Sequence, residues 1–202
     1  MVYVQEANDQ AVEVFEKDLF EYSVLEQGTG GQYYTCVLLR QTTIYLDEVK
    51  NKRFGNSTMG RGLQIVRAHM GDVKLAFLNV HLESTKDFSK QRVEQLKECF
   101  DEIKRLGTDH TVILAGDLNI RDSEIDQLNG LPSDMYDLWI KLGKRKEVQY
   151  TWDCLRNTNV EVCSLAKMAW YLTFLFYFFK KNSIPLKMHL LFFSFPENLN
   201  QE

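Results

Sequence analysis

Thr111-Val112-Ile113-Leu114-Ala115-Gly116-Asp117-Leu118-Asn119 is a short apolar run that ends abruptly in a glycine, a carboxylate and an amide. Its apolar, partly β-branched residues lack helical spacing and predict a compact buried strand over 111–115. Gly116 then gives the backbone the freedom to turn sharply as the strand runs out into a loop. Immediately upstream, the stretch 88–106 places Val93, Leu96, Phe100, Ile103 and Leu106 on one face, with Lys, Glu and Arg covering the other. That is the pattern of an amphipathic helix, and Gly107 is a fitting residue to end it.

Moving toward the N-terminus, the runs 63–70 and 73–80 flank Gly71-Asp72, a connection short enough for a hairpin of two antiparallel strands. The β-branched and aromatic runs 33–40 and 43–49 are separated only by a polar pair and are expected to be neighbouring strands. Residues 1–5 read as a short strand. Asn8 or Asp9 can cap the next run, 10–22, where Val12, Phe15, Leu19 and Phe20 recur at helical spacing until Gly28-Thr29-Gly30-Gly31 breaks the chain. Strands outnumber helices, and no repeat or linker divides the stretch. The expectation is one layered domain of the α+β or α/β class.

Bulk properties narrow the function classes. With 202 residues, 45% hydrophobic and 26% charged, the chain has the balance of a globular domain and not of a disordered one. A net charge of -4 provides no overall basic field, so contact with nucleic acid would need a local patch or a metal ion. Cys36, Cys99, Cys154 and Cys163 form no CxxC pair and show no zinc-type spacing, which fits a reducing compartment. No secretory signal opens the chain, and the apolar run 168–179 is short of the roughly 18–20 residues a membrane span requires.

Three clusters fall where strands run out into loops: Gln5-Glu6, His81-Leu82-Glu83-Ser84 and Gly116-Asp117-Leu118-Asn119. Strand ends are where scaffolds place catalytic groups. Magnesium takes hard oxygen ligands, commonly one or two carboxylates plus waters and phosphate, so Glu6 can anchor it if the sheet brings Asp117 near. A carboxylate can deprotonate water, and a histidine can hydrogen-bond a phosphoryl transition state. Each residue also has a plainer reading. Glu6 can sit at a helix N-terminus, His81 at the edge of the core, and Asp117 with Asn119 in an Asx turn.

Taken in order, QE, HLES and GDLN resemble the motifs of the endonuclease/exonuclease/phosphatase superfamily. The context is closer still to its tyrosyl-DNA phosphodiesterase branch, through Met59-Gly60-Arg61, HLESTK at 81–86, AGDLNIRD at 115–122, Gly130-Leu131-Pro132, Asp137-Leu138-Trp139 and QYTWD at 149–153. The resemblance implies an α+β fold, a two-layered β-sandwich flanked by helices. It implies magnesium, with manganese as the alternative ion, and hydrolysis of the bond joining a topoisomerase tyrosine to a DNA 5′-phosphate. The implied partners are DNA 5′ ends carrying a phosphotyrosyl adduct and the topoisomerase-derived peptide, with no stable membrane partner. The implied setting is DNA repair in the nucleus and also the cytoplasm. Glu6 then corresponds to the metal ligand and Asp117 to the residue that activates water. Asn119, His81 and Ser84 correspond to groups that hold the scissile phosphate, and Arg121, Tyr33 and Trp152 to the substrate groove. An arginine fork grips phosphate, and aromatic faces stack on single-stranded bases. Lys141 to Lys146 reads as a solvated charge run.

The resemblance covers about 1–159, a catalytic domain that is incomplete by this reading. The family's TWN-like strand would precede Met1, and no Ser-Asp-His motif occurs, so weak or absent activity is expected of the chain alone. The alternative function is a catalytically incompetent fragment that acts as a binding module or has no function of its own. Residues 160–202 form a divergent, aromatic-rich tail. It reads as a buried strand pair, an interfacial membrane segment or a sequence never selected to fold, the last being favoured. Bare sheet edges are the expected consequence.

Overall fold

The computed structural model describes residues 1–28, 33–141, 143 and 144, together with the backbone of 178–180 and 192–194. In chain order the elements are β1 (Val2–Ala7), α1 (Asp9–Asp18), β2 (Tyr22–Glu26), β3 (Tyr34–Arg40), β4 (Tyr45–Arg53), β5 (Gly62–Met70), β6 (Val73–His81), α2 (Ser89–Arg105), β7 (Thr111–Asp117), α3 (Asp122–Gln127), α4 (Leu138–Lys141), β8 (Phe178–Lys180) and β9 (Phe192–Ser194). The strands form two sheets, ordered β2-β3-β1-β9 and β4-β5-β6-β7-β8.

Side-chain alternation sorts the core into layers. Tyr3, Val37, Leu39, Val66, Phe77, Ile113 and Ala115 meet between the sheets, drawing on strands of both. Their neighbours one residue away face outward. Val2, Val4, Cys36 and Leu38 pack against Val12 and Phe15 of α1. On the far side Ile65, Ala76, Leu78, Val112 and Leu114 pack against Leu96, Cys99, Phe100 and Ile103 of α2. The order of layers is therefore α1, sheet, sheet, α2. Each fully buried Leu, Ile or Phe contributes about 1.5–3 kcal/mol, which makes this three-part core the main stabilising term.

The expected hairpin is present, with β5 and β6 antiparallel and in register from Leu63↔Val80 to Met70↔Val73. Gly71 takes a φ of +56°, which suits a glycine turn. Two expectations need correction. β3 and β4 are not neighbours: β3 is wedged between β2 and β1, with both edges taken, while the turn after Arg40 carries the chain across to the other sheet. The first helix stops at Asp18, and Tyr22 begins a strand that pairs with β3 from Tyr22↔Arg40 to Glu26↔Cys36. Phe20, counted on the helix's apolar face, lies in the turn between them and is 77% exposed.

The polar face of α2 is not wholly solvated either. Arg92 is completely buried. It donates through Nη2 to Glu124 Oε1 at 2.6 Å and through Nε to Glu124 Oε2 at 3.1 Å, and Nη1 reaches the carbonyls of Glu83 (3.1 Å) and Thr85. One guanidinium thus ties α2 to α3 and to the loop after β6. Arg92→Ala takes the buried cation from Glu124 and leaves its carboxylate only Arg121 Nη1 as a cationic partner, at 3.3 Å, and the expected cost is about 3 kcal/mol, the low end for breaking a buried pair. Urea denaturation of the two proteins measures it.

Phe178–Lys180 runs antiparallel to β7, and Phe192–Ser194 runs parallel to β1. Bare sheet edges were expected; the edges of β7 and β1 instead carry these short strands, which lie in different sheets and not against each other. An unpaired strand edge is a template for such an addition. Among the described residues no helix is long and apolar enough to cross a membrane, and most of the 168–179 run lies outside them.

Candidate active site

Parallel pairing of β6 and β7 sets His81 directly beside Asp117. β1 reaches the same end of the molecule from the other sheet. A register shift between Val4 and Ala7 marks a bulge there, with Glu6 at a φ of +55°. Two further non-glycine residues near these strand ends, Thr85 (φ +63°) and Asn119 (φ +47°), also sit in the left-handed region. Such conformations cost about 1–3 kcal/mol each and concentrate at functional sites. Beneath them lies a buried polar link between the sheets. Gln5 Nε2 donates to Asn79 Oδ1 at 2.7 Å, and Asn79 Nδ2 donates to the Cys36 carbonyl at 2.9 Å. It fixes the ends of β1 and β6 relative to each other.

The three expected residues converge. His81 Nε2 lies 3.7 Å from Asp117 Oδ2 and 4.0 Å from Glu6 Oε1. Asn119 donates its backbone N–H to Asp117 Oδ1 at 3.0 Å, and its side-chain amide reaches the Leu82 carbonyl (3.3 Å) and Ser84 Oγ (3.4 Å). The Asx turn is therefore what brings the Asn119 amide to Ser84. Asn119 reaches Ser84 by a left-handed turn, with a φ of +47°. Gly116, expected to turn the chain, lies within β7 opposite Val80 and leaves room for the close Val80 backbone.

Arg61, quoted within Met59-Gly60-Arg61 but given no role by the sequence, belongs to this group. Its Nη1 lies 2.8 Å from His81 Nδ1, and its Nη2 donates to Ser84 Oγ at 3.3 Å. A guanidinium only donates, so His81 Nδ1 must accept, and the imidazole proton sits on Nε2. Burial and the adjacent Arg61 charge hold the His81 pKa well below its ordinary value, so the ring is neutral and presents an N–H toward the two carboxylates. Burial pushes the Asp117 carboxyl up, opposed by the Asn119 N–H and Arg61. Its side chain is about one-third open (33%), which tempers that push. Glu6, Tyr33, Thr35, Met59, Arg61 and His81 line one cleft.

The remaining expected residues are placed differently. Arg121 sits at the N-terminus of α3, its backbone N–H and Nη1 donating to Glu124. Trp152 lies outside the described residues, as does half of 141–146.

Residues 5–148 match the sequence profile of Endonuclease/Exonuclease/phosphatase family 2. The chain belongs to the endonuclease/exonuclease/phosphatase family. Among similar members of this family, the protein named tyrosyl-DNA phosphodiesterase 2 from Gallus gallus is 33% identical over 168 residues, which is 83% of this chain and 45% of that protein. Its Danio rerio namesake is 35% identical over 162 residues, 80% of this chain and 44% of the relative. The crystal structure of D. rerio TDP2 complexed with single strand DNA product superposes with a TM-score of 0.75 at 34% identity, covering 78% of this chain and 63% of that one. The chain spans less than half the length of the curated relatives it matches.

The donor set of this family member fits a divalent cation. Glu6 and Asp117 are each 33% exposed and both face His81 Nε2, so two hard oxygen donors converge on a solvent-accessible point. Among the described residues no three of His, Cys, Asp and Glu close into a cage. An open pair of carboxylates is the arrangement suited to magnesium, which keeps several waters and takes remaining ligands from substrate.

Acid stability follows from two other, buried carboxyls, Glu83 and Glu124. Burial acts to raise Glu83 and Glu124. Hydrogen bonds from Thr58, Ser57 and Gln95 to the first, and from Arg92 and Ser89 to the second, prevail and hold both below the ordinary glutamate value of 4.5. A depressed carboxyl stabilises the fold fully above its unfolded pKa and loses that contribution as pH falls through the folded one. The melting temperature is therefore expected to hold down to about pH 5 and to fall below about 4.5. Glu124→Gln should make that acid slope shallower, as calorimetry across pH would show.

Proposed function

We propose that this site is a metal-assisted phosphodiesterase centre that hydrolyses the bond between a topoisomerase tyrosine and a DNA 5′-phosphate. The observation that carries the reading is the convergence of Glu6, His81 and Asp117 at the ends of three strands from two sheets. In this account residues 1–159 carry the catalytic centre and 160–202 form the aromatic-rich tail. The setting is DNA repair, in the nucleus and also the cytoplasm.

Glu6 is the anchoring ligand for magnesium, or manganese, with Asp117 close by. A divalent cation held there would offset charge developing on the phosphate oxygens. Asp117 orients a water and takes its proton as the water oxygen attacks phosphorus. The His81 Nε2–H, the Asn119 amide and Ser84 Oγ hold phosphate oxygens, and Arg61 adds a fixed positive charge behind His81. The bond from phosphorus to the phenolic oxygen breaks and the tyrosine departs. A phenol of pKa about 10 is a far better leaving group than an alkoxide, which suits a site without a strong general acid. Tyr33 on the cleft wall offers a face on which an unpaired base stacks, and Arg121 and Trp152 complete the proposed groove.

A substrate panel tests the assignment. A 5′-phosphotyrosyl single-stranded oligonucleotide should be cleaved with magnesium in preference to a 3′-phosphotyrosyl oligonucleotide, an inositol phosphate and a 3′-polyadenylate. Equal or faster turnover of any of the last three would move the chain to another branch of its family.

A further inference from the structure

The loop 54–61 joins β4 to β5 and closes on itself through the Phe54 N–H to the Arg61 carbonyl at 3.1 Å. Its tip is gathered around a single side chain from the other motif. The Glu83 carboxylate, wholly buried, accepts from Ser57 Oγ (2.8 Å), Thr58 N (2.7 Å), Thr58 Oγ1 (2.7 Å), Met59 N (3.1 Å) and Gln95 Nε2 (3.3 Å). Its own backbone N–H donates to Gln95 Oε1 at 3.0 Å, so α2 fixes the rotamer from below. Ser57 Oγ passes the constraint on, because it also accepts the Arg61 backbone N–H at 2.8 Å. Only an ionised carboxylate, acceptor on both oxygens, satisfies all of these donors at once. An amide would turn its NH2 against some of them.

We propose that Glu83 is a positioning residue of this site: through Ser57 it sets the Arg61 guanidinium against His81 Nδ1 and so holds His81 as the Nε2–H tautomer facing Glu6 and Asp117. The inference rests on the reading of the site given above but is separable from it, since the tautomer is a property of the resting protein. Glu83 touches none of the reacting groups. Its influence travels from α2 through Gln95, Glu83, Ser57 and Arg61 to the imidazole. The same motif therefore supplies both a phosphate-facing histidine and, two residues on, the group that governs its proton.

The test is nitrogen-15 NMR of the full chain labelled at histidine, together with steady-state kinetics on the 5′-phosphotyrosyl oligonucleotide. The wild type should show the Nε2–H pattern at His81. In Glu83→Gln that pattern should give way to a mixture of tautomers, with kcat per folded molecule down about tenfold or more and KM changed far less. Ser57→Ala removes one link at a half-buried position and should move both readouts in the same direction by less. It carries the test alone if Glu83→Gln does not fold. Retention of the wild-type tautomer and kcat in folded variants, with only a lower melting temperature, would overturn the proposal. If the wild type turns over nothing, the proposed function fails while the tautomer measurement still decides this inference.

Discussion

Asp117→Asn is expected to reduce turnover of a 5′-phosphotyrosyl oligonucleotide by about 10²–10⁴-fold, the range typical of a lost general base, while the protein melts within a few degrees of wild type. The substitution is nearly isosteric. An amide oxygen can still accept the Asn119 N–H that now reaches Asp117 Oδ1 at 3.0 Å, so the left-handed turn at Asn119 keeps its support. What disappears is the negative charge beside Glu6, and with it the proton acceptor. Removing one of two converging carboxylates also relieves repulsion, so stability should be unchanged or slightly higher, the usual trade at an active site. Turnover within threefold of wild type in the folded variant would remove Asp117 from its proposed role.

Gly116→Ala should be the most damaging single-methyl addition available near the site. A Cβ there would lie 1.8 Å from the Val80 carbonyl oxygen and within 2.9 Å of the Val80 backbone nitrogen, at a φ of +137° that side chains rarely adopt. The obstacle is backbone of the adjoining strand, which cannot swing aside like a side chain. β6 and β7 would have to separate where His81 and Asp117 meet. Combining backbone strain with overpacking gives a cost of about 4 kcal/mol or more, a large part of the stability of an ordinary domain. Chemical denaturation should show the midpoint collapsing, or the protein failing to fold. A variant with a wild-type midpoint would contradict the close approach of these two strands.

The layered fold was legible where periodicity was strong. The β5–β6 hairpin announced itself by its apolar runs and Gly71, and α2 by its apolar face, because burial on one side imposes a period on the chain. Strand partners were less legible. β3 and β4 follow each other in sequence yet belong to different sheets, since what decides the pairing is that both edges of β3 are occupied, a fact no local pattern encodes. β2 escaped notice because its residues are mostly half-buried, leaving only a weak alternation.

Within the site, Glu6, His81 and Asp117 could be found because each ends a strand. Arg61 and Glu83 were quoted within motifs but not understood. Their importance comes from tertiary approach, Arg61 to the His81 ring and Glu83 to a loop some two dozen residues earlier in the chain. Arg92 was counted only among the charges on the polar face of α2, because a helical pattern cannot show that a buried glutamate waits opposite it.

The measurement that bears most directly on the account is release of 5′-phosphorylated DNA from a 5′-phosphotyrosyl oligonucleotide by the purified chain, with magnesium and with chelator. The account predicts weak turnover that requires the metal. Folded protein that binds the oligonucleotide but cleaves nothing with magnesium or manganese present would contradict it and leave a binding module in place of an enzyme.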